Sequence, residues 1–200
     1  MVNEAGLLGK IGLNSAGVGV VFNAIRAKGV DTSKLPAHLG LRMALESTSS
    51  EEAVAGLRKY GLASSAHILV GDAKSATSCE SSSSTFKTIG VDARGRILHT
   101  NHLIADHPGV EEPPWLADSP RRLEQLGKLT DKITGEPSMT DFKSFFMDET
   151  DWPNSICRSQ VEGSVAATLF NIVMNLGKKE AIITEGRPTQ PGETHVLKFD

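Results

Sequence analysis

The chain has 200 residues, 39% of them apolar and 22% charged, and its 21 basic and 24 acidic side chains leave a net charge of −3. A chain near this length hides roughly 70% of its unfolded surface, enough for a proper core, and it fits one domain over residues 1–200. So balanced a charge, with the densest basic clusters only the pairs Arg121-Arg122 and Lys178-Lys179, argues against a nucleic-acid or anionic-membrane binder.

Two cysteines occur, Cys79 and Cys157, with no C-x-x-C between them. That excludes a zinc knuckle or a thioredoxin-like motif and fits a reducing compartment better than a disulfide scaffold. No N-x-[ST] sequon is present, in keeping with an intracellular address. The apolar stretches are interrupted within about ten residues, too short to span a bilayer. Neither a charged n-region with an apolar h-region nor a C-terminal S-K-L address is found.

In chain order, residues 7–13 and 18–23 read as two strands of a hairpin around Asn14-Ser15-Ala16-Gly17, from the β-branched enrichment flanking a turn cluster. Residues 36–46 read as a helix with Leu39, Met43 and Ala44 near one face. Ser49 or Ser50 caps a second helix through Tyr60, with Glu51 and Glu52 in its first turn. Short strands are expected at 67–70 and 79–84. A hairpin is expected from 86–92 and 96–100 around Ala93-Arg94-Gly95. The four prolines of 106–120 mark a surface loop. Helices follow at 121–132 and 140–147, then strands at 155–158, 167–176, 181–185 and 195–199, with Gly177-Lys178-Lys179 as a tight connection. Strands and helices come in blocks without regular β-α alternation. The expected class is therefore α+β, two antiparallel sheets with helices packed outside them.

Few residues carry chemistry by pattern alone. The glycines at 6, 9, 12, 17 and 19 lack both the hydroxyl and the third glycine of phosphate loops and read as hairpin glycines. His99, His102 and His107 lie near Asp106, but their spacing is not that of a metalloprotease helix; no metal is expected, and they read as strand-end histidines. On a strand, Ser155 and Cys157 would share one face and Arg158 the other. Arg158 could lower a thiol pKa, yet an internal strand cysteine is ordinarily a small buried hydrophobe. Asn101, ending a strand, is a turn residue or an oxyanion donor whose amide supplies two N–H groups.

Taken together, several segments resemble one family. They are residues 4–18 with Asn23-Ala24, Leu41 to Ser49, Gly95-Arg96 with His99-Thr100-Asn101-His102, Ser155-Ile156-Cys157-Arg158, Ala167 to Ile172, and Gly186-Arg187-Pro188-Thr189. The likeness is to the acyl-coenzyme A:6-aminopenicillanic acid acyltransferases, also called isopenicillin N acyltransferases, a family of fungal cysteine N-terminal-nucleophile hydrolases. It implies an αββα sandwich and a precursor that cuts itself between glycine and cysteine. The freed cysteine, with a thiol nucleophile and an α-amino base, forms an acyl-enzyme and passes the acyl group to an amine or water. By position, Asn101 matches the oxyanion-hole asparagine and Arg158 the arginine that holds the β-lactam carboxylate. Ser155 matches the serine three residues before it. Ser82 matches a serine that proline follows in the family, where this chain has Ser83.

The family places its α-subunit, the Gly-Cys cut and an aspartate ahead of the first hairpin. This chain starts inside that hairpin and has no Gly-Cys or Cys-Thr pair. The expectation is a β-subunit portion, incomplete at the N-terminus, without the nucleophile. Its partners would be the α-subunit and N-terminal segment, with amide or β-lactam and acyl-coenzyme A substrates and no further cofactor. The compartment would be cytoplasmic or peroxisomal. Two rival readings are a catalytically inactive partner subunit and a hydrolase that uses Cys157. Asn101 is expected to hold its amide free of intramolecular partners, and Cys157 to be reduced and buried.

Overall fold

The structure, a computed structural model, describes residues 1–162, 164 and 166–200. Among these, four helices and eight strands form an α+β chain with two antiparallel sheets, as the block order of the sequence implies. They divide into two compact units. The first is Met1–Leu116 with Leu176–Lys179 and Phe199–Asp200; the second is Ala117–Asn175 with Glu180–Lys198.

In the first unit β1 (Gly12–Leu13), β2 (Gly19–Ala24), β3 (Ala66–Gly71), β4 (Ala76–Ser81) and β5 (Phe86–Ile89) pair in sequence order. The opening turn forms where its residues predict. Asn14 Oδ1 accepts from Val18 N at 3.0 Å, and its amide donates to Leu45 O at 3.0 Å and Ser47 O at 2.8 Å. A turn residue thus also ties the hairpin to the end of α1 (Ala37–Leu45). The first strand is shorter than expected: only Gly12–Leu13 pair with β2, and Ile11 makes an isolated bridge to Val2. Helix α2 (Ser50–Tyr60) starts at the cap named from sequence, with Ser49 Oγ accepting from Glu52 N at 3.1 Å.

Helices α1 and α2 cover one face of this sheet. Val20, Ala66, Ile68, Val70 and Cys79 from the strands join Leu41, Ala44, Leu45, Ala53, Leu57 and Leu62 in a single buried cluster. The buried stripe of α1 is Gly40, Leu41, Ala44 and Leu45, whereas Leu39 is exposed. The stripe is turned from the expected one because Gly40 lets the helix approach closely: a Cβ there would stand 2.5 Å from Leu62 Cδ2.

Period-2 alternation sends the other residues of these strands to the opposite face. There the register sets Asn23 opposite His67, and His67 opposite Glu80. Past β5, the Asp92–Arg96 turn forms around Gly95, with φ of 74°. Residues 96–100 do not return as a strand, because the segment from 99 onward bonds to side chains of the sheet face instead of to β5.

In the second unit α3 (Ser119–Asp131) and α4 (Met139–Phe145) accompany a three-stranded sheet of β6 (Phe170–Asn175), β7 (Glu180–Arg187) and β8 (Gln190–Lys198). Asp141 and Ser138 close a capping box on α4. The expected strand at 155–158 is absent, and bends run through it. Its backbone groups go elsewhere: Cys157 N donates to Asp148 O at 2.8 Å, and Arg158 N to Thr168 Oγ1 at 2.9 Å. The alternation argument for Ser155, Cys157 and Arg158 falls with the strand.

Candidate functional site

Some of the segments that carried the resemblance meet in two knots, one in each unit. In the first, Asn101 Nδ2 donates to Ala24 O at 3.0 Å, joining the 99–102 segment to the end of β2. The amide thus has an intramolecular partner, contrary to the expectation that it would be free of one. Its bond runs to a strand end 77 residues away in sequence and not into its own turn.

Beneath Asn101 lies a buried polar network on the non-helical face of the sheet. Glu80, fully buried, accepts four hydrogen bonds. His99 Nε2 at 2.7 Å and Ile104 N at 2.6 Å reach Oε1, while Ala105 N at 2.9 Å and His107 Nε2 at 3.0 Å reach Oε2. Burial on its own would raise the Glu80 pKa, but these four donors outweigh it and hold the carboxyl down at about 2. His99 Nδ1 faces Thr100 O at 2.7 Å, so both its nitrogens meet acceptors. His67 stacks flat on His99, ring centroids 3.4 Å apart and planes within 2°. His67 bonds Asn23 Oδ1 at 2.8 Å and Ser78 Oγ at 2.7 Å. Burial first, then the charge of His99, push its pKa down to about 2, so His67 is neutral.

Ser82 joins the edge of this network. Its hydroxyl accepts from Ser84 N at 3.2 Å and Thr85 N at 2.9 Å and meets Thr85 Oγ1 at 2.7 Å. Thr85 Oγ1 in turn meets His107 Nδ1 at 2.6 Å. Ser82 closes a turn that Ser83 tolerates, and it lies 2% exposed.

In the second unit Arg158 is 9% exposed. Its Nη1 pairs with Asp118 and its Nη2 donates to Asn154 Oδ1 at 2.9 Å; Asp118 also takes Arg122 Nε at 2.5 Å. Burial tends to raise the Asp118 carboxyl, but Arg122 and Arg158 prevail and lower it. The Nε of Arg158 is buried without a partner among the described residues. Ser155 is fully buried, its hydroxyl donating to Cys157 O at 2.7 Å. Cys157 is free and buried, with Sγ 3.5 Å from Thr189 Oγ1. Thr189 Oγ1 donates to Glu149, which also pairs with Arg187. The 155–158 and 186–189 segments thus meet through Cys157, Thr189 and Glu149.

Sequence reasoning missed Glu80 altogether and set the histidines beside Asp106. The available signal was a glutamate inside a run of small residues, cross-strand from a histidine, with three more histidines gathered further along the chain at 99, 102 and 107. Among the described residues no cluster of histidine, cysteine, aspartate and glutamate could hold a metal, and no helix is long and apolar enough to cross a membrane.

Comparison with known proteins agrees with the motif likeness. A relative in Emericella nidulans, the "Acyl-coenzyme A:6-aminopenicillanic-acid-acyltransferase 40 kDa form", is 42% identical over 202 residues, covering 100% of this chain and 56% of its own length. The chain therefore spans little more than half of that relative. Residues 3–190 match the model of the family described as acyl-coenzyme A:6-aminopenicillanic acid acyl-transferase. The chain belongs to this acyltransferase family.

Proposed function

We propose that this chain is the β-subunit portion of an acyltransferase or amidohydrolase that exchanges acyl groups on an amide nitrogen, of a β-lactam or related amide, through a cysteine acyl-enzyme. The observation that carries the reading is the Asn101 knot. Asn101 is pinned to Ala24 in a segment anchored on a buried carboxylate, and a fixed amide dipole is what oxyanion stabilisation requires. The domain would be an αββα sandwich of N-terminal-nucleophile type. A five-stranded sheet with both helices of its unit on one face and a polar network on the other fits such a sandwich. The nucleophile would be the first residue of a separate segment, and acyl-coenzyme A the donor. Arg158, held by Asp118 and Asn154, would turn its guanidinium to the acceptor's carboxylate, as the relative's named substrate 6-aminopenicillanic acid would require. Ser155, donating to Cys157 O, and Ser82, closing its turn, would act by holding backbone geometry.

The test is covalent trapping. The chain is co-expressed with an upstream piece whose mature form begins at cysteine, exposed to an acyl-coenzyme A, and weighed intact. An acyl adduct is expected only on the combined protein. Asn101→Ala should lower its rate of formation by about 10²–10³-fold, the usual effect of removing one oxyanion donor. An adduct on this chain alone, at Cys157 or a serine, would overturn the reading, and no adduct on either would favour an inactive partner subunit.

A further inference from the structure

We propose that Glu80 is a positioning residue for Asn101: one buried carboxylate grips the chain on both sides of Asn101 and so fixes where its side-chain amide points. The inference rests on the reading of Asn101 as the oxyanion donor. The grip falls on both sides of that residue. Upstream, His99 Nε2 reaches Oε1 at 2.7 Å; downstream, Ile104 N, Ala105 N and His107 Nε2 reach the two oxygens at 2.6, 2.9 and 3.0 Å. All of the carboxylate's lone-pair directions are thereby used, and the residues between His99 and Ile104, Asn101 among them, form a short arch over it.

The arch is tied to β2 as well. His67 stacks on His99 and bonds Asn23, while Asn101 bonds Ala24, the next residue of that strand. Bond directions agree through the network. A Ser82 hydroxyl donating to Thr85 leaves the Thr85 hydroxyl to donate to His107 Nδ1, and the Nε2–H of His107 then points at Glu80. The Asn23 carbonyl oxygen takes the Nδ1–H of His67, whose Nε2 accepts from Ser78. A network satisfied in this way holds one geometry, whereas a half-satisfied one would not.

Glu80→Gln keeps the shape but turns an NH₂ group toward a backbone N–H on whichever side it faces, so it must release Ile104 N or Ala105 N and loosen the arch. The experiment follows the Asn101 side-chain amide of the isotope-labelled chain by NMR, its two proton signals assigned by their loss in Asn101→Ala. In the native chain they should be separate and slow to exchange. In Glu80→Gln they should move toward the position of a solvent-exposed amide. A stabilising role alone would lower the unfolding midpoint and leave these signals in place, so a folded Glu80→Gln with unmoved Asn101 signals refutes the proposal. Should that variant not fold, His107→Gln, which keeps a donor on Glu80, is compared with His107→Leu, which removes it. The Leu variant should shift the Asn101 signals and the Gln variant should not; identical signals in both refute the proposal. None of these outcomes depends on acyl transfer. A failed trapping experiment would therefore sink the oxyanion reading while leaving the grip of Glu80 on Asn101 standing or falling by itself.

Discussion

Asn23, His67 and Glu80 are direct neighbours across β2, β3 and β4, yet in sequence they are ordinary strand positions tens of residues apart. Their chemistry arises from register and burial, and it sets the acid response of the protein. His67, held neutral with its pKa near 2 instead of 6.5, and Glu80, held ionised near 2 instead of 4.5, both bind more protons unfolded than folded. Stability must then rise with pH over the window between the two values. The contribution of His67 is complete above 6.5 and drains below it; that of Glu80 is complete above 4.5 and drains toward 2. Urea midpoints are expected to be flat above about pH 7, to decline gently from there and to fall steeply below 4.5, and Glu80→Gln should lessen the steep part, to which Asp72 and Asp118, also held down by their donors, contribute. Midpoints independent of pH between 7 and 3 would contradict this. The cysteines offer a second check. Burial pushes the Cys79 thiol up to about 12, and Cys157 is fully buried. Both should resist iodoacetamide at neutral pH in the native protein and react in denaturant. Rapid native labelling of Cys157 would revive its reading as a nucleophile.

The helices and the first turn of the first unit were legible because their signals are local. Ser49 with Glu52 marks the start of α2, Asn14 the first turn, and Pro36 the residue before α1. What misled was the extent of regular structure where side chains compete for the backbone. The 96–100 and 155–158 stretches look like strands by composition, but one is drawn onto Glu80 and the other onto Asp148 and Thr168. The close approach at Gly40 was equally invisible, since nothing in a helix pattern tells a packing glycine from a tolerated one. It makes an opposed pair of effects measurable. Alanine at an open helical site would gain about 1 kcal/mol over glycine. At Gly40 its Cβ would stand 2.5 Å from Leu62 Cδ2 and 3.3 Å from Leu57 Cδ2, inside the buried cluster. Overpacking of this kind costs about 1–3 kcal/mol and should win. Gly40→Ala is therefore expected to lower stability by about 1 kcal/mol net, read as a lower urea midpoint at unchanged slope. Gly127→Ala, on α3 with nothing within 4 Å of the added Cβ, is the control and should raise it.

Family membership was legible because the likeness runs through motifs along the whole chain, while the side-chain partners of Asn101 and Arg158 depend on folding and were not. The two units also differ in how much apolar surface each buries. The first encloses twelve buried residues in one cluster under α1 and α2. Among the described residues of the second, the buried apolar side chains include Phe145, Cys157, Val173, Ala181 and Ile183, and every residue of β8 is exposed, Val196 and Leu197 included. Burial is the main favourable term in stability, so the second unit is expected to open at lower free energy than the first. Hydrogen exchange should show amides of β8 and β6 exchanging first, with β3 and β4 protected longest. Denaturant unfolding followed at the two tryptophans, Trp115 in the first unit and Trp152 in the second, should then give non-coincident curves once each is isolated by Trp→Phe replacement of the other. Coincident transitions with uniform protection across both sheets would mean that the units unfold as one. A segment supplying the nucleophile ahead of the first hairpin predicts its own response: on its co-expression, protection of β1, the edge strand of the first sheet, should rise while that of β8 stays constant. The stabilisation would then be confined to the unit whose edge strand the segment joins.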